Sequence, residues 1–171
     1  MRNIKNDQGA AMTTKPDSSK RTPEAHIRSS IDRLDPKNQK LMRSVRAAVR
    51  KRFPTLNELA YDYATSFVVG YSPTERGSDG IVAIAARADG VRLYFGQGVD
   101  LPDPKGLLLG SGRQTRFLQV KAASQFAHPD VEALVAVAIE QAIVPVPSKG
   151  PGKIIIKSDS AKQRPHRRHT K

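Results

Sequence analysis

Residues 81–95 read IVAIAARADGVRLYF, and this stretch decides the fold. The run of small and β-branched residues over 81–86 suits the interior of a sheet, and Asp89-Gly90 is a strong hairpin signal before a second strand over 91–95. In that second strand Val91, Leu93 and Phe95 point one way and Arg92 and Tyr94 the other, because side chains alternate across a strand. Leu93 is thereby placed at the centre of a buried face. Upstream, residues 66–71 form a strand with Phe67, Val69 and Tyr71 on one face, ended by Pro73. Downstream, after a loop rich in Gly, Pro and Asp, residues 115–120 form a fourth strand, with Leu118 and Val120 as its buried pair. The short connections predict antiparallel pairing.

Helices are expected on both sides of these strands. Asp35-Pro36 is a good helix start, because the carboxylate can accept from free backbone amides and proline needs no amide partner in the first turn. Leu41, Val45, Ala48 and Val49 then share one face, and Pro54 marks the end. Lys40, Arg43, Arg46, Arg50 and Lys51 lie opposite, either as a solvated charged face or as a stripe for a polyanion. Residues 57–61 read as a short helical turn. From Pro129 onward Val131, Leu134, Val135, Ala138 and Ile139 supply the apolar stripe of a C-terminal helix, stopped by Pro145 and Pro147.

The expected fold is therefore α+β: an antiparallel sheet of about four strands flanked by N- and C-terminal helices, spanning residues 34–147. Residues 1–33 are expected to be a disordered N-terminal tail and residues 148–171 a basic C-terminal tail. All nine Phe and Tyr residues fall between Phe53 and Phe126, so the flanks lack the aromatic surface that offsets the entropy of ordering. Residues 154–156, three isoleucines between Lys153 and Lys157, are the exception: an edge strand guarded by lysines, or a loose segment.

The net charge of +13 is unevenly placed. Residues 1–34 carry 7 basic and 4 acidic side chains, residues 35–147 carry 14 and 11, and residues 148–171 carry 8 and 1, so the last segment holds +7 of the excess. Concentrated positive charge draws polyanions through counterion release. The tail residues Lys162, Arg164, Arg167 and Arg168 are thus candidates for contact with nucleic acid or another polyanion, against the plainer reading of a solubilising tail. With no cysteine, disulfides, thiolate chemistry and Cys-based zinc sites are excluded. No apolar run of signal-peptide type opens the sequence and none approaches the ~20 residues that span a bilayer, so a cytoplasmic protein without a membrane partner is expected.

Three local clusters bear on chemistry. Gly110, Ser111, Gly112 and Arg113, with Lys105 upstream, form the most suggestive one: glycines let a backbone turn its amides toward an anion, and arginine adds a charged fork. The spacing is not that of a phosphate-binding P-loop, and an ordinary strand-entry loop is the alternative. Asp62 between Tyr61 and Tyr63 is either an acid–base cluster with two phenol partners or a structural hydrogen-bond junction. His128, the one histidine in the expected domain, precedes Pro129 in a capping position. His166 and His169 could act as a ligand pair only on a helix.

The stretch NELAYDYATSFVVGYSPTERGSDGIVAIAARADGVRLYFGQGVDLPDPKGLLLGSGRQTRF, from Asn57 to Phe117, together with the flanking helices, resembles the YdhG-like bacterial family, a domain of unknown function. The resemblance covers residues 34–142, and KIIIKSDSAKQRP near the end is similar to tails of that group. It implies a compact α+β fold without established catalytic residues, and one function proposed for relatives, a distantly frataxin-like iron chaperone. Iron handling of that type is associated with an acidic first helix, whereas this helix is basic; the carboxylates Glu58, Asp62, Glu75, Asp79, Asp89, Asp100 and Asp103 are scattered. The function expected is a non-enzymatic binding module for an anionic ligand, nucleic acid or protein partner, with no cofactor. A frataxin-like iron-binding chaperone and an enzyme of unknown reaction are the alternatives.

Overall fold

In the computed structural model, which describes residues 22–158, Asp35 caps the helix it was expected to start, accepting from the Asn38 amide at 3.0 Å. This helix, α2 (Pro36–Arg52), follows a shorter one, α1 (Pro23–Asp32). Five strands come next: β1 (Asn57–Tyr63), β2 (Ser66–Ser72), β3 (Val82–Arg87), β4 (Gly90–Phe95) and β5 (Arg116–Val120). Helix α3 (Pro129–Glu140) and strand β6 (Ile154–Ser158) complete the described chain. The architecture is α+β, a six-stranded mixed sheet in the order β5-β4-β3-β2-β1-β6 with three α-helices. None of the described helices is long and apolar enough to cross a membrane.

Neighbouring strands from β1 to β5 pair antiparallel, across tight turns at β1–β2 and β3–β4 and longer loops at β2–β3 and β4–β5. The register aligns Phe67, Val69 and Tyr71 of β2 with Ala86, Ile84 and Val82 of β3, and these with Val91, Leu93 and Phe95 of β4. All nine are buried, and the face they form receives Ile27 and Ile31 of α1, Met42, Val45 and Val49 of α2, and Val131, Leu134 and Val135 of α3. One face of the sheet thus carries all three helices.

Three readings of the sequence are corrected. Residues 57–61 are not a helical turn but most of β1, which pairs with β2 along its whole length from Asn57↔Ser72 to Tyr63↔Ser66. Its alternation is disguised, because the positions facing the helices are Glu58, Ala60 and Asp62 and apolar Leu59 faces away. Residues 23–32 do not belong to a disordered tail: Thr22 caps α1, and Ile27 and Ile31 are 0% and 1% exposed in the core. Two isoleucines one helical turn apart are enough apolar surface when the remaining contacts are ionic.

The third correction concerns number and direction of strands. Residues 154–158 add an edge strand, parallel to β1, through Glu58↔Ile154, Leu59↔Ile155, Ala60↔Ile156 and Tyr61↔Ser158, with a bulge before the last pair. Parallel pairing needs a long return of the chain, which here is everything from β2 to α3. Gly152 permits the approach: a Cβ there would sit 1.8 Å from the Leu56 carbonyl oxygen, while its amide donates to Pro54 O at 3.0 Å. Residues 1–21 and the tail residues Lys162, Arg164, Arg167 and Arg168 lie outside the described residues.

Candidate functional site

The polar groups on the helix-covered face of β1 are bound internally. Arg46, on the helix face read as solvated, is only 7% exposed and reaches under α1 to the sheet. Its Nε and Nη2 donate to Glu58 at 2.9 and 2.7 Å, and its Nη1 and Nη2 donate to Glu24 of α1 at 2.9 and 2.7 Å. Tyr71 Oη completes the group by donating to Glu58 Oε1 at 3.0 Å. Hydrogen bonds from Arg46 hold the Glu24 carboxyl down to about 2 against the opposing effect of burial, and burial pushes the Tyr71 phenol well up. Arg46 keeps its proton: burial disfavours the charge, but the bonds to Glu24 and Glu58 outweigh it. Above this network an open groove between α1 and α2 is lined by Arg28, Arg43 and Arg50, each of which faces Glu24 or Asp32. Glu24 is shared by Arg28, Arg46 and Arg50, and Asp32 pairs with Arg43, so each arginine has an acidic partner while the groove keeps a positive excess.

Asp62 is likewise a structural junction. It is 3% exposed, accepts from Ser30 Oγ at 2.6 Å, and forms an ion pair with Arg33. The pleat of β1 sends Tyr61 and Tyr63 to the opposite face, where their rings stack 6.1 Å apart at 11°. The Tyr61–Asp62–Tyr63 cluster is therefore divided by the sheet, and the phenols are not partners of the carboxylate.

In the loop of residues 103–113 several polar groups are taken up by internal partners. Lys105 is drawn to Asp130 of α3 at 3.0 Å. The amides of Leu107 and Leu108 donate to the Asp103 carboxylate at 2.8 and 2.7 Å, so a side chain of the same loop already takes the anion's place there. Gly110, at φ 109°, lies against the Phe117 ring, and the Gly112 carbonyl accepts from Arg116. Ser111 and Arg113 are exposed. Leu109 exchanges both backbone hydrogen bonds with Phe117, so this loop covers the edge of β5. His128 caps α3, its Nδ1 accepting from the Asp130 amide.

The sheet face away from the helices is where binding chemistry gathers. Pairing aligns Leu59, Gly70, Ala83, Tyr94 and Phe117 in one row across it, and Tyr61, Val68, Ala85, Arg92 and Gln119 in the next. The middle of both rows is small. The ends are aromatic, with the Tyr61–Tyr63 stack on β1 and, on β4 and β5, the Tyr94 and Phe117 rings 5.3 Å apart under Arg92, whose guanidinium sits 4.4 Å over Phe117. Three strand spacings separate Tyr61 from the Arg92–Tyr94 end, about 14 Å. The result is an open trough of about 570 Å³ floored by Val68, Gly70, Ala83 and Ala85.

Its polar lining is Ser66, Ser72, Thr115, the tyrosine hydroxyls and Arg87, with no carboxylate among the described residues. Burial, then the neighbouring Tyr63, raises the Tyr61 phenol above its ordinary value. A Cβ on Gly77 would come within 2.5 Å of Tyr61 Oη, so this glycine sets the position of the ring. The sequence carries one signal of the trough: outward positions of central strands, which on a solvated sheet face are usually polar, are here Val68, Gly70, Ala83 and Ala85. No family model, curated protein or solved structure matches the chain. No group of three or more His, Asp and Glu among the described residues gathers where it could hold a metal ion.

Proposed function

We propose that the chain is a binding module for an anionic ligand carrying a flat ring, of the nucleotide class, held on the open face of the sheet. One observation carries this reading: a floor of small side chains between two aromatic walls, with Arg87 and no carboxylate lining it. A base offers a π-face to tyrosine, worth about 1–3 kcal/mol per stacked base, and its phosphate favours a positively charged rim. The basic character of the whole chain, +13, points to the same sign of ligand.

The test is a calorimetric or NMR titration with UMP and AMP, with inorganic phosphate and ribose 5-phosphate as ring-free controls. Gly70→Val should abolish nucleotide binding by filling the trough. It should not weaken the fold, because a Cβ at Gly70 meets its neighbours at 3.8–4.0 Å, ordinary contact distances, and valine favours a strand. Arg113→Ala and Lys105→Ala, in the loop whose amides face Asp103, should leave affinity within twofold. Equal affinity for UMP and inorganic phosphate, or UMP binding that survives Gly70→Val but not Arg113→Ala, would move the site to that loop.

A further inference from the structure

The groove between α1 and α2 stands apart from the open face of the sheet, because the helices cover the other side. α2 contributes Arg43, Arg46 and Arg50, spaced to share one side of a helix, and none of the charged side chains of α2 is acidic. α1 contributes Glu24, Arg28 and Asp32, each one turn from the next. Four guanidiniums therefore meet two carboxylates, an excess of two, or of one when Glu58 beneath Arg46 is counted. The groove is open, about 700 Å³, and the small side chain of Ala47 leaves the space between Arg43 and Arg50 unfilled.

The ion pairs in it are unequal. Arg46 takes both oxygens of Glu24, at 2.9 and 2.7 Å, so Arg28 and Arg50 reach the same carboxylate only at 3.4 and 3.5 Å. Arg28 offers it Nε alone and Arg50 offers it Nη1 alone, and Arg28 is mostly exposed and Arg50 half-exposed. Arg43 is half-exposed as well, and its partner Asp32 more so. Exposed pairs of this kind are worth little, whereas a phosphate accepts from several guanidinium N–H groups at once. Arg43 and Arg50 lie two turns apart, about 10.5 Å along α2 at 1.5 Å per residue. A single tetrahedral oxyanion meets one turn of this ladder; a ligand that meets both carries its charges in a row. Packed helices lie about 8–10 Å apart, which leaves room for a narrow chain but not for a duplex.

We propose that this groove binds a linear oligophosphate, whose oxygens accept from Arg28, Arg43 and Arg50 and displace Asp32 from Arg43. Arg46 stays with Glu24 and Glu58 and keeps the two helices in place while the outer arginines change partners.

The experiment is a calorimetric titration of the full-length chain with tripolyphosphate, with inorganic phosphate and hexaglutamate as controls. Wild type should prefer tripolyphosphate to either control. The double substitution Arg43→Gln with Arg50→Gln should weaken tripolyphosphate at least about tenfold, the loss expected for charged hydrogen-bond partners. Arg28→Gln, at a mostly exposed position that does not hold the helices together, should weaken it about threefold or more. Asp32→Asn should tighten binding about two- to fivefold, since it removes the carboxylate that competes for Arg43. Gly70→Val, on the other side of the sheet, should change nothing. Affinity unchanged by Arg28→Gln and by the double substitution would overturn the proposal, as would Asp32→Asn weakening tripolyphosphate or a wild-type chain that does not bind it. Equal affinity for hexaglutamate and tripolyphosphate would also overturn it, leaving an unselective basic surface.

Discussion

Replacing Arg46 by alanine should cost the fold about 3–5 kcal/mol, the range for breaking a buried ion pair by removing one partner. The magnitude rests on what is left behind. Glu58 has a side chain 4% exposed and would retain Tyr71 Oη at 3.0 Å, with Arg50 3.7 Å away and half exposed. Glu24 would lose its two shortest bonds, leaving the longer contact from Arg50 at 3.5 Å and the Arg43–Asp32 pair as the ionic ties between α1 and α2. For about 140 ordered residues, 1 kcal/mol corresponds to roughly 3–5 °C in Tm, so Arg46→Ala should melt about 10–20 °C below wild type. Urea denaturation followed by circular dichroism gives the free energy directly. The double substitution Arg46→Met with Glu58→Gln should recover part of the loss, since it removes both charges and keeps most of the volume. A loss under about 1 kcal/mol for Arg46→Ala would refute the reasoning, because it would mean that water reaches Glu58 and screens the pair as it does at a surface.

Two further outcomes follow from the same packing. Ending the chain after Val146 should lower Tm by more than about 5 °C, because it removes β6 and exposes the edge of β1; a smaller change by calorimetry would show that the strand adds little. Glu24 titrates near 2 in the fold and near 4.5 otherwise, so its contribution is complete above about pH 4.5 and is lost as pH falls toward 2. The Tm difference between wild type and Glu24→Gln should accordingly shrink over that interval, and a difference constant from pH 6 to pH 2.5 would remove Glu24 from the network.

What could be read from the sequence was the part stabilised by its own neighbours. Strands β2, β3 and β4 bring apolar runs or alternation, with a tight turn between β3 and β4, and α2 and α3 bring proline starts and apolar stripes, so each announces itself within a window of about fifteen residues. The parts that escaped depend on partners far along the chain. β1 puts Glu58 and Asp62 toward the core, which Arg46, Tyr71, Ser30 and Arg33 help make tolerable, and none of these is a sequence neighbour. Arg46 looked solvated for the same reason. The open trough has a fainter signature than the Gly112-Arg113 pair, because Gly70 sits alone in the middle of an apolar strand; the missing side chain there is what opens the floor.

The place of β6 also sets an order of events during synthesis. Its first contacts with β1 join residues 96 positions apart, Asn57 and Lys153. At about 5–20 residues per second, β1 must wait roughly 5–20 s on the ribosome before that neighbour is even made. Through this interval the outer backbone of β1 is an open edge, able to capture another nascent chain. Co-translational crowding, more than final stability, is then the condition under which this protein is most exposed to misassembly.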